Sequence, residues 1–465
     1  MRRASPELLK EVLREAERLA VPTEEEQERL NTVMTSVLDA VRSVFSALDG
    51  FVDASVEGSA AKRTWVKSRP EVDVFVRFSP LVSREKLEEI VVRYGIQALE
   101  SAGASWRLRY ADHPYVEGVL SGVAVNVVGC YDVQKGGWIS AVDRTPYHTR
   151  YVASRLDDRL RREIRLAKAF AIGTGVYGAE IKIGGFSGYL MELLVLRFGG
   201  FIDLLEDVSR WRAPKVIELT GELGEGKALT LFPRSSLVVT DPVDPMRNVA
   251  SAVTLTKLSE FVLASKLFFT FPSIRFFSPP NPSATYANRD VLAILFDRPQ
   301  GLPVDTLWGE ALRFVRSVSS RLSREGFEVR RWAVEGVEDS VLALIELDSH
   351  ELPANELRVG PPVWMESAFD FLEKHSSDVL TVAGPWVSGE RLYVLKRREV
   401  RSAVELTKRW LRDQSVSIPK DLEAPLKRAD VLRLDGESLM RFRSMGFERF
   451  LDNFLDGRPP YLRGP

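Results

Sequence analysis

Gly58-Ser59-Ala60-Ala61-Lys62-Arg63-Thr64-Trp65, followed by Glu71-Val72-Asp73-Val74-Phe75-Val76, is the stretch whose reading decides the fold. A glycine–serine turn leads to an apolar strand that carries two acids two residues apart. Residues i and i+2 of a strand point to one face, so Glu71 and Asp73 project together, with Cα atoms roughly 7 Å apart, while Val72 and Val74 point the other way. Two anions side by side repel unless a cation lies between them. Hard oxygen ligands suit Mg²⁺, which takes one or two carboxylates together with phosphate oxygens. The turn before them offers backbone N–H groups and the Ser59 hydroxyl to such phosphates. The same residues also fit an edge strand bearing two solvated acids.

The turn and the acid pair resemble the signature of the DNA polymerase β-like nucleotidyltransferases. Their third acid would stand on a neighbouring strand, and Gly122-Val123-Ala124-Val125-Asn126-Val127-Val128-Gly129-Cys130-Tyr131 reads as that strand. Its single polar interior residue is Asn126. Further blocks follow: Ser140-Ala141-Val142-Asp143-Arg144-Thr145-Pro146-Tyr147-His148, Gly175-Val176-Tyr177-Gly178-Ala179-Glu180, Gly185-Phe186-Ser187-Gly188-Tyr189-Leu190-Met191-Glu192 and Asp241-Pro242-Val243-Asp244-Pro245-Met246-Arg247-Asn248. In this order and spacing they resemble the archaeal (class I) CCA-adding enzymes, the tRNA nucleotidyltransferases, over about residues 1–260. Beyond that only order and length fit.

The resemblance implies CTP and ATP as substrates, Mg²⁺ as cofactor and the tRNA 3′ end as acceptor, extended without a nucleic-acid template. It makes Glu71 and Asp73 the metal ligands and puts Ser59 on the triphosphate, with Lys62 as the basic residue three positions later. It places His148, Lys168 and Tyr177 against the phosphates and sugar of the incoming nucleotide and gives Arg247 a part in reading the base. Asp241 and Asp244 read as loop-capping residues rather than metal ligands. Asn126 departs from the pattern: it keeps the shape and one neutral oxygen of an aspartate, but has no charge and accepts no proton. Asp132 lies about 20 Å further along the strand and cannot substitute. Three readings follow. The chain adds CCA; or it is an impaired paralogue or variant that binds nucleotide and tRNA; or it adds a different nucleotide, as an A-only polymerase would.

Composition sets wider bounds. The 465 residues are 45% hydrophobic and 28% charged, as in ordinary globular proteins. No apolar run is long enough for a transmembrane helix, and Met1-Arg2-Arg3 runs into an acidic amphipathic segment unlike a signal peptide. The single cysteine, Cys130, excludes an internal disulfide and a cysteine zinc cluster. A cytoplasmic protein is expected. A net charge of −1 is no general nucleic-acid footprint, so RNA binding would rest on local patches. Arg159, Arg161, Arg162, Arg165 and Lys168 form one candidate, and Lys396, Arg397, Arg398 and Arg401 another.

Periodicity predicts helices over 5–20, 23–48, 83–102, 154–173, 186–198, 200–207 and 246–266, and strands over 51–56, 71–78, 105–110 and 122–131. After the proline-rich stretch 271–282, strand 291–296, helix 305–325 and strands 328–334 and 340–347 read as part of a ferredoxin-like sandwich. Residues 362–375 and 402–413 read as helix and 391–396 as strand. The expected class is α+β: a nucleotidyltransferase palm over 1–150, a mostly helical nucleotide-reading domain over 151–270, and a C-terminal α+β region over 271–465, ferredoxin-like at about 290–350. The resemblance assigns that last region to gripping the acceptor and TΨC arm of tRNA, and leaves room for a homodimer.

Overall fold

The computed structural model describes residues 4–110, 114–221, 223–282 and 289–463. Met1, Arg2 and Arg3 lie outside them. The chain divides into two compact units: Met1–Pro282 with Pro303–Asp305 and Arg458–Pro465, and Ser283–Leu302 with Thr306–Gly457.

The first unit opens with two helices, α1 (Pro6–Ala20) and α2 (Glu24–Phe45). Thr23 and Glu26 close a reciprocal capping box at the start of α2. Then follow β1 (Phe51–Glu57), α3 (Gly58–Lys62), β2 (Glu71–Phe78), α4 (Arg84–Ser101), β3 (Ser105–Tyr110), β4 (Pro114–Leu120) and β5 (Val123–Tyr131). They form one mixed sheet in the order β1-β2-β5-β4-β3, with β2 and β5 parallel and the other pairs antiparallel. Val72, Val74, Val116, Val125 and Val127 are fully buried on the face covered by α2 and α4. The opposite face carries Glu71, Asp73 and Asn126 together with Phe75 and Val128. Strand β4 is an addition to the expected elements: Pro114 and Gly118 interrupt its alternation.

The chain continues as α5 (Thr145–Ala153), α6 (Asp158–Gly173), α7 (Gly188–Phe198), α8 (Phe201–Val208), β6 (Lys215–Ile217), α9 (Glu225–Leu231), β7 (Leu237–Val239) and α10 (Leu255–Thr270). Helix α5, which has Pro146 in its first turn, is a further addition. The helix expected from 246 begins only at Leu255. Before it, the Asn248 carboxamide accepts from the Val239 and Ala250 N–H groups and fixes a turn instead. A phenylalanine cluster centred on Phe170 holds these helices: Phe201, Phe261, Phe268, Phe276 and Phe277 all pack on its ring. Helix α1 joins this core through Val12, Ala16 and Ala20.

The second unit begins with β8 (Asp290–Asp297), α11 (Val304–Glu325), β9 (Val329–Gly336) and β10 (Ser340–Leu347). An inserted segment follows, made of β11 (Asn355–Pro362), α12 (Ser367–Ser376), β12 (Thr381–Ser388) and β13 (Arg391–Arg397). It forms its own three-stranded sheet, β11-β13-β12. The helix expected from 362 therefore starts later, and 355–362 is strand. The chain then makes α13 (Ala403–Asp413), α14 (Glu423–Lys427), β14 (Asp430–Arg433), α15 (Gly436–Phe442) and α16 (Glu448–Asp456). Strand β14 joins the first sheet, giving the order β14-β8-β10-β9, antiparallel throughout. That is the fourth-first-third-second order of a β-α-β-β-α-β sandwich, completed after the insertion. No helix among the described residues is long and apolar enough to cross a membrane.

Candidate active site

The site grows from the join of β1 and α3. Gly58 has φ +69°, and a Cβ there would lie 2.5 Å from Asp73 Oδ2, so only glycine lets the backbone rest against that carboxylate. The Gly58 N–H donates to Thr149 Oγ1 at 3.2 Å, which ties α3 to α5.

Strand register then sets one polar row across the sheet. Glu57 pairs with Asp73, Asp73 with Asn126, Asn126 with Glu117, and Glu117 with Arg107. Directly opposed residues share a face. Glu71 lies two residues before Asp73 on the same face. Asn126 Nδ2 donates to Glu71 Oε1 at 2.7 Å and to Asp73 Oδ1 at 2.9 Å, so both carboxylates converge on one point. Burial, and next the negative charge of Glu71, push the Asp73 carboxyl up to about 7 against the opposing Asn126 hydrogen bond. Two hard carboxylates with uncompensated charge at a common point are a donor set that fits Mg²⁺. Among the described residues, no three His, Cys, Asp or Glu side chains stand close enough as placed to form a metal cluster.

Beside the acids lies a cavity of about 370 Å³ lined by Ser59, Arg69, Glu71, Lys168, Tyr177 and Gly188, among others. The Arg69 guanidinium stands 5.5 Å from the centre of the Tyr177 ring. Burial raises the Tyr177 hydroxyl's pKa, so it stays protonated. Lys168 and Lys62, both buried, meet Glu192 at 2.7 Å and 2.5 Å, and Thr64 donates its hydroxyl to the same carboxylate at 2.6 Å. Burial alone would raise Glu192, but the two ammonium groups outweigh it and hold the carboxyl at about 2.

A second hub is Asp241. It accepts from Arg247 at 2.8 Å and from the Tyr189 hydroxyl at 3.1 Å, and meets His148 Nε2 at 2.9 Å. It also caps its own loop through the Val243 N–H. The His148 ring stacks on Tyr189 with centroids 4.1 Å apart. Burial lowers the His148 pKa despite Asp241, which leaves the imidazole neutral near pH 7. Asp244 pairs with Arg144 at 2.7 Å.

The expected residues thus fall into two adjoining groups. Ser59, Glu71, Lys168 and Tyr177 line one cavity, with Lys62 behind it. His148 and Arg247 gather on Asp241, and Tyr189 joins the groups, its ring 5.8 Å from Lys62 Nζ. Thr64, Tyr189, Glu192 and Asp241 were given no site role from sequence. Glu192 had a readable signal, as the one charge in an apolar helical run. Much of the arginine-rich helix proves structural: Arg159 and Arg165 donate to the backbone carbonyls of Gly199 and Trp65, and Arg161 to that of Lys62. In the other cluster Lys396 pairs with Asp378, Arg398 bonds the Glu325 carbonyl, and Arg401 bonds the Leu352 carbonyl.

Comparison with known proteins gives the family. Residues 162–278 match the family model "tRNA nucleotidyltransferase, second domain", and 288–433 match "CCA-adding enzyme, C-terminal domain". The CCA-adding enzyme of Pyrobaculum islandicum is 40% identical over 406 residues, covering 87% of this chain and 94% of that protein. The chain belongs to the CCA-adding enzymes. The family member from Methanothermobacter thermautotrophicus is 37% identical over 84% of this chain and 85% of its own length. The solved structure of a cytoplasmic RNA terminal U-transferase aligns with 59% of this chain and 98% of that one, at 14% identity and a TM-score of 0.44. As a family member the chain is a tRNA nucleotidyltransferase, and its architecture is α+β. Both family-model matches lie outside the sheet that carries the acid pair, so the acids rest on their geometry.

Proposed function

We propose that this chain completes the 3′ CCA end of tRNA from CTP and ATP, with Mg²⁺ held by Glu71 and Asp73. The observation that carries the reading is the convergence of those two carboxylates on one amide nitrogen beside a cavity that Ser59, Lys168 and Tyr177 line. Bound Mg²⁺ would neutralise the triphosphate and favour deprotonation of the attacking hydroxyl.

The chain's own residues then position the reactants, which is most of what phosphoryl transfer asks of a protein. Ser59 offers its hydroxyl to the triphosphate. Lys62 and Lys168 share one carboxylate, so their cluster keeps a net positive charge that favours a polyanion in the cavity. Tyr177 walls the sugar side. His148 and Arg247 are fixed by Asp241, and Arg247, 38% exposed, keeps N–H groups for a base edge. A pocket that hydrogen-bonds C and A leaves G and U with mismatched donors and acceptors, a strong basis for rejection.

In the second unit Arg313, Arg316, Ser320 and Arg324 follow one exposed stripe of α11 and line a groove of about 420 Å³ with Ser317, Ser415 and Ser417. This stripe is the proposed phosphate grip for the acceptor and TΨC arm.

The test is extension of tRNA lacking its CCA end, with Mg²⁺ and each nucleotide in turn. CTP alone should add two residues, CTP with ATP three, and GTP or UTP none. Extension by all four nucleotides alike overturns the reading. Asn126 favours a second reading, an impaired enzyme, because an amide stands where a third charge would help. Slow addition that Asn126→Asp accelerates by about 10²-fold or more would establish it.

A further inference from the structure

We propose that Glu117 supplies the third negative charge of the metal site, the charge that Asn126 lacks. The inference rests on the nucleotidyl-transfer reading above and concerns where that site finds its full complement of carboxylates.

Asn126 is flanked on both sides by acids directly across from it: Asp73 on β2 and Glu117 on β4. Opposed side chains on neighbouring strands start about 5 Å apart at Cβ. Glu117 therefore begins one strand away from the amide, on its face of the sheet, and its extra methylene lets it reach further than an aspartate would. Its side chain is 16% exposed, so its charge is only partly screened by water.

Other acids near the site are already engaged or out of reach. Glu57 stands directly across from Asp73 on β1, on the side away from Asn126, and its Oε1 already accepts the Ser55 hydroxyl at 2.7 Å. Asp143 is consumed by the N–H groups of Tyr131, Ile139 and Ser140 and by the Ser140 hydroxyl. Asp132 lies beyond the end of β5.

As placed, Glu117 turns toward Arg107, whose Nε donates to Glu117 Oε1 at 2.9 Å. Arg107 is 64% exposed, so water screens its side of the pair, although Arg107 is not the only group that Glu117 meets. A cation at Glu71 and Asp73 would draw the carboxylate across by rotation of its own side chain, with no change of backbone. Charge that the family sequence pattern puts on β5 is in this chain carried by β4.

The experiment titrates the full-length chain with Mn²⁺ alone, followed by electron paramagnetic resonance, with thermal melting as the check on folding. Glu117→Gln should weaken Mn²⁺ binding about tenfold or more. Arg107→Gln breaks the same ion pair but spares the carboxylate, so it should leave Mn²⁺ bound as tightly or more so. Asn126→Asp should restore affinity to the Glu117→Gln chain while changing the parent little. In nucleotide addition the Glu117→Gln loss should fall on kcat, with KM for tRNA unchanged. Equal Mn²⁺ affinity in the parent and Glu117→Gln overturns the inference alone. So does an equal loss in Arg107→Gln, which would make the pair structural, or an equal gain from Asn126→Asp in both backgrounds. A parent chain with no Mn²⁺ site sensitive to Glu71→Gln and Asp73→Asn overturns the functional reading with it.

Discussion

Glu192 shows what a single residue controls. One carboxylate, 1% exposed, pairs with two buried ammonium groups and accepts a threonine hydroxyl. Removing one partner of a buried charge cluster costs about 3–5 kcal/mol, because the remaining charges are left uncompensated. Glu192→Gln should lower the melting transition of the first unit and, by loosening Lys62 and Lys168, raise KM for CTP and ATP together. Unchanged melting would show that the lysines find other partners. The pH dependence follows the depressed carboxyl. Its contribution is fully present above the unfolded value near 4.5 and is lost as pH falls toward about 2. The parent should therefore lose stability across that acid window more steeply than Glu192→Gln, as pH-dependent urea melts would record. The sequence made half of this legible. A glutamate amid Leu190, Met191, Leu193 and Leu194 announces a buried, paired charge. Its partners Lys62 and Thr64 lie more than 100 residues away, and nothing local names them.

At the scale of elements, legibility followed alternation. Strands β2 and β5 were readable, the first from valines alternating with Glu71 and Asp73 and the second as an apolar run interrupted by Asn126, and with them the acid pair and Asn126. Strand β4 was hidden by Pro114 and Gly118, and so Glu117 could not be set beside Asn126 before the register was known. Strand β12 has little burial on either face and contains Gly384 and Pro385, so it lacks a period of two. Helix α5 is short, and its proline reads as a turn. The join of β1 to α3 carries the sharpest prediction at this scale. Gly58→Ala adds a methyl 2.5 Å from Asp73 Oδ2 at a φ of +69°. Strain of that kind costs about 1–3 kcal/mol and would turn the carboxylate away from Glu71. Mn²⁺ affinity should fall far more than thermal stability does. A variant that binds Mn²⁺ like the parent would show that the close approach does not position Asp73.

For the whole molecule, a net charge of −1 means that a polyanionic partner must be held by local arrangement rather than by overall attraction. Most of the arginines that looked promising in sequence are tied to carbonyls or carboxylates within their own unit. The stripe on α11 is different. Arg313, Arg316 and Arg324 are exposed, have no carboxylate within ion-pair distance among the described residues, and recur at helical spacing opposite the buried Phe314, Val318 and Leu322. Helical periodicity was visible in the sequence, but which clusters were already spent on internal bonds was not, because that depends on what packs against them. Every phosphate that a side chain ceases to neutralise lowers the slope of log affinity against log salt by about 0.7–0.9. Arg313→Gln combined with Arg316→Gln should therefore raise KM for tRNA, flatten its salt dependence by about 1.5, and leave kcat and the Mn²⁺ affinity of the first unit unchanged. KM for tRNA measured across a salt series decides it. A parallel shift with the slope intact would mean that these arginines do not touch phosphate.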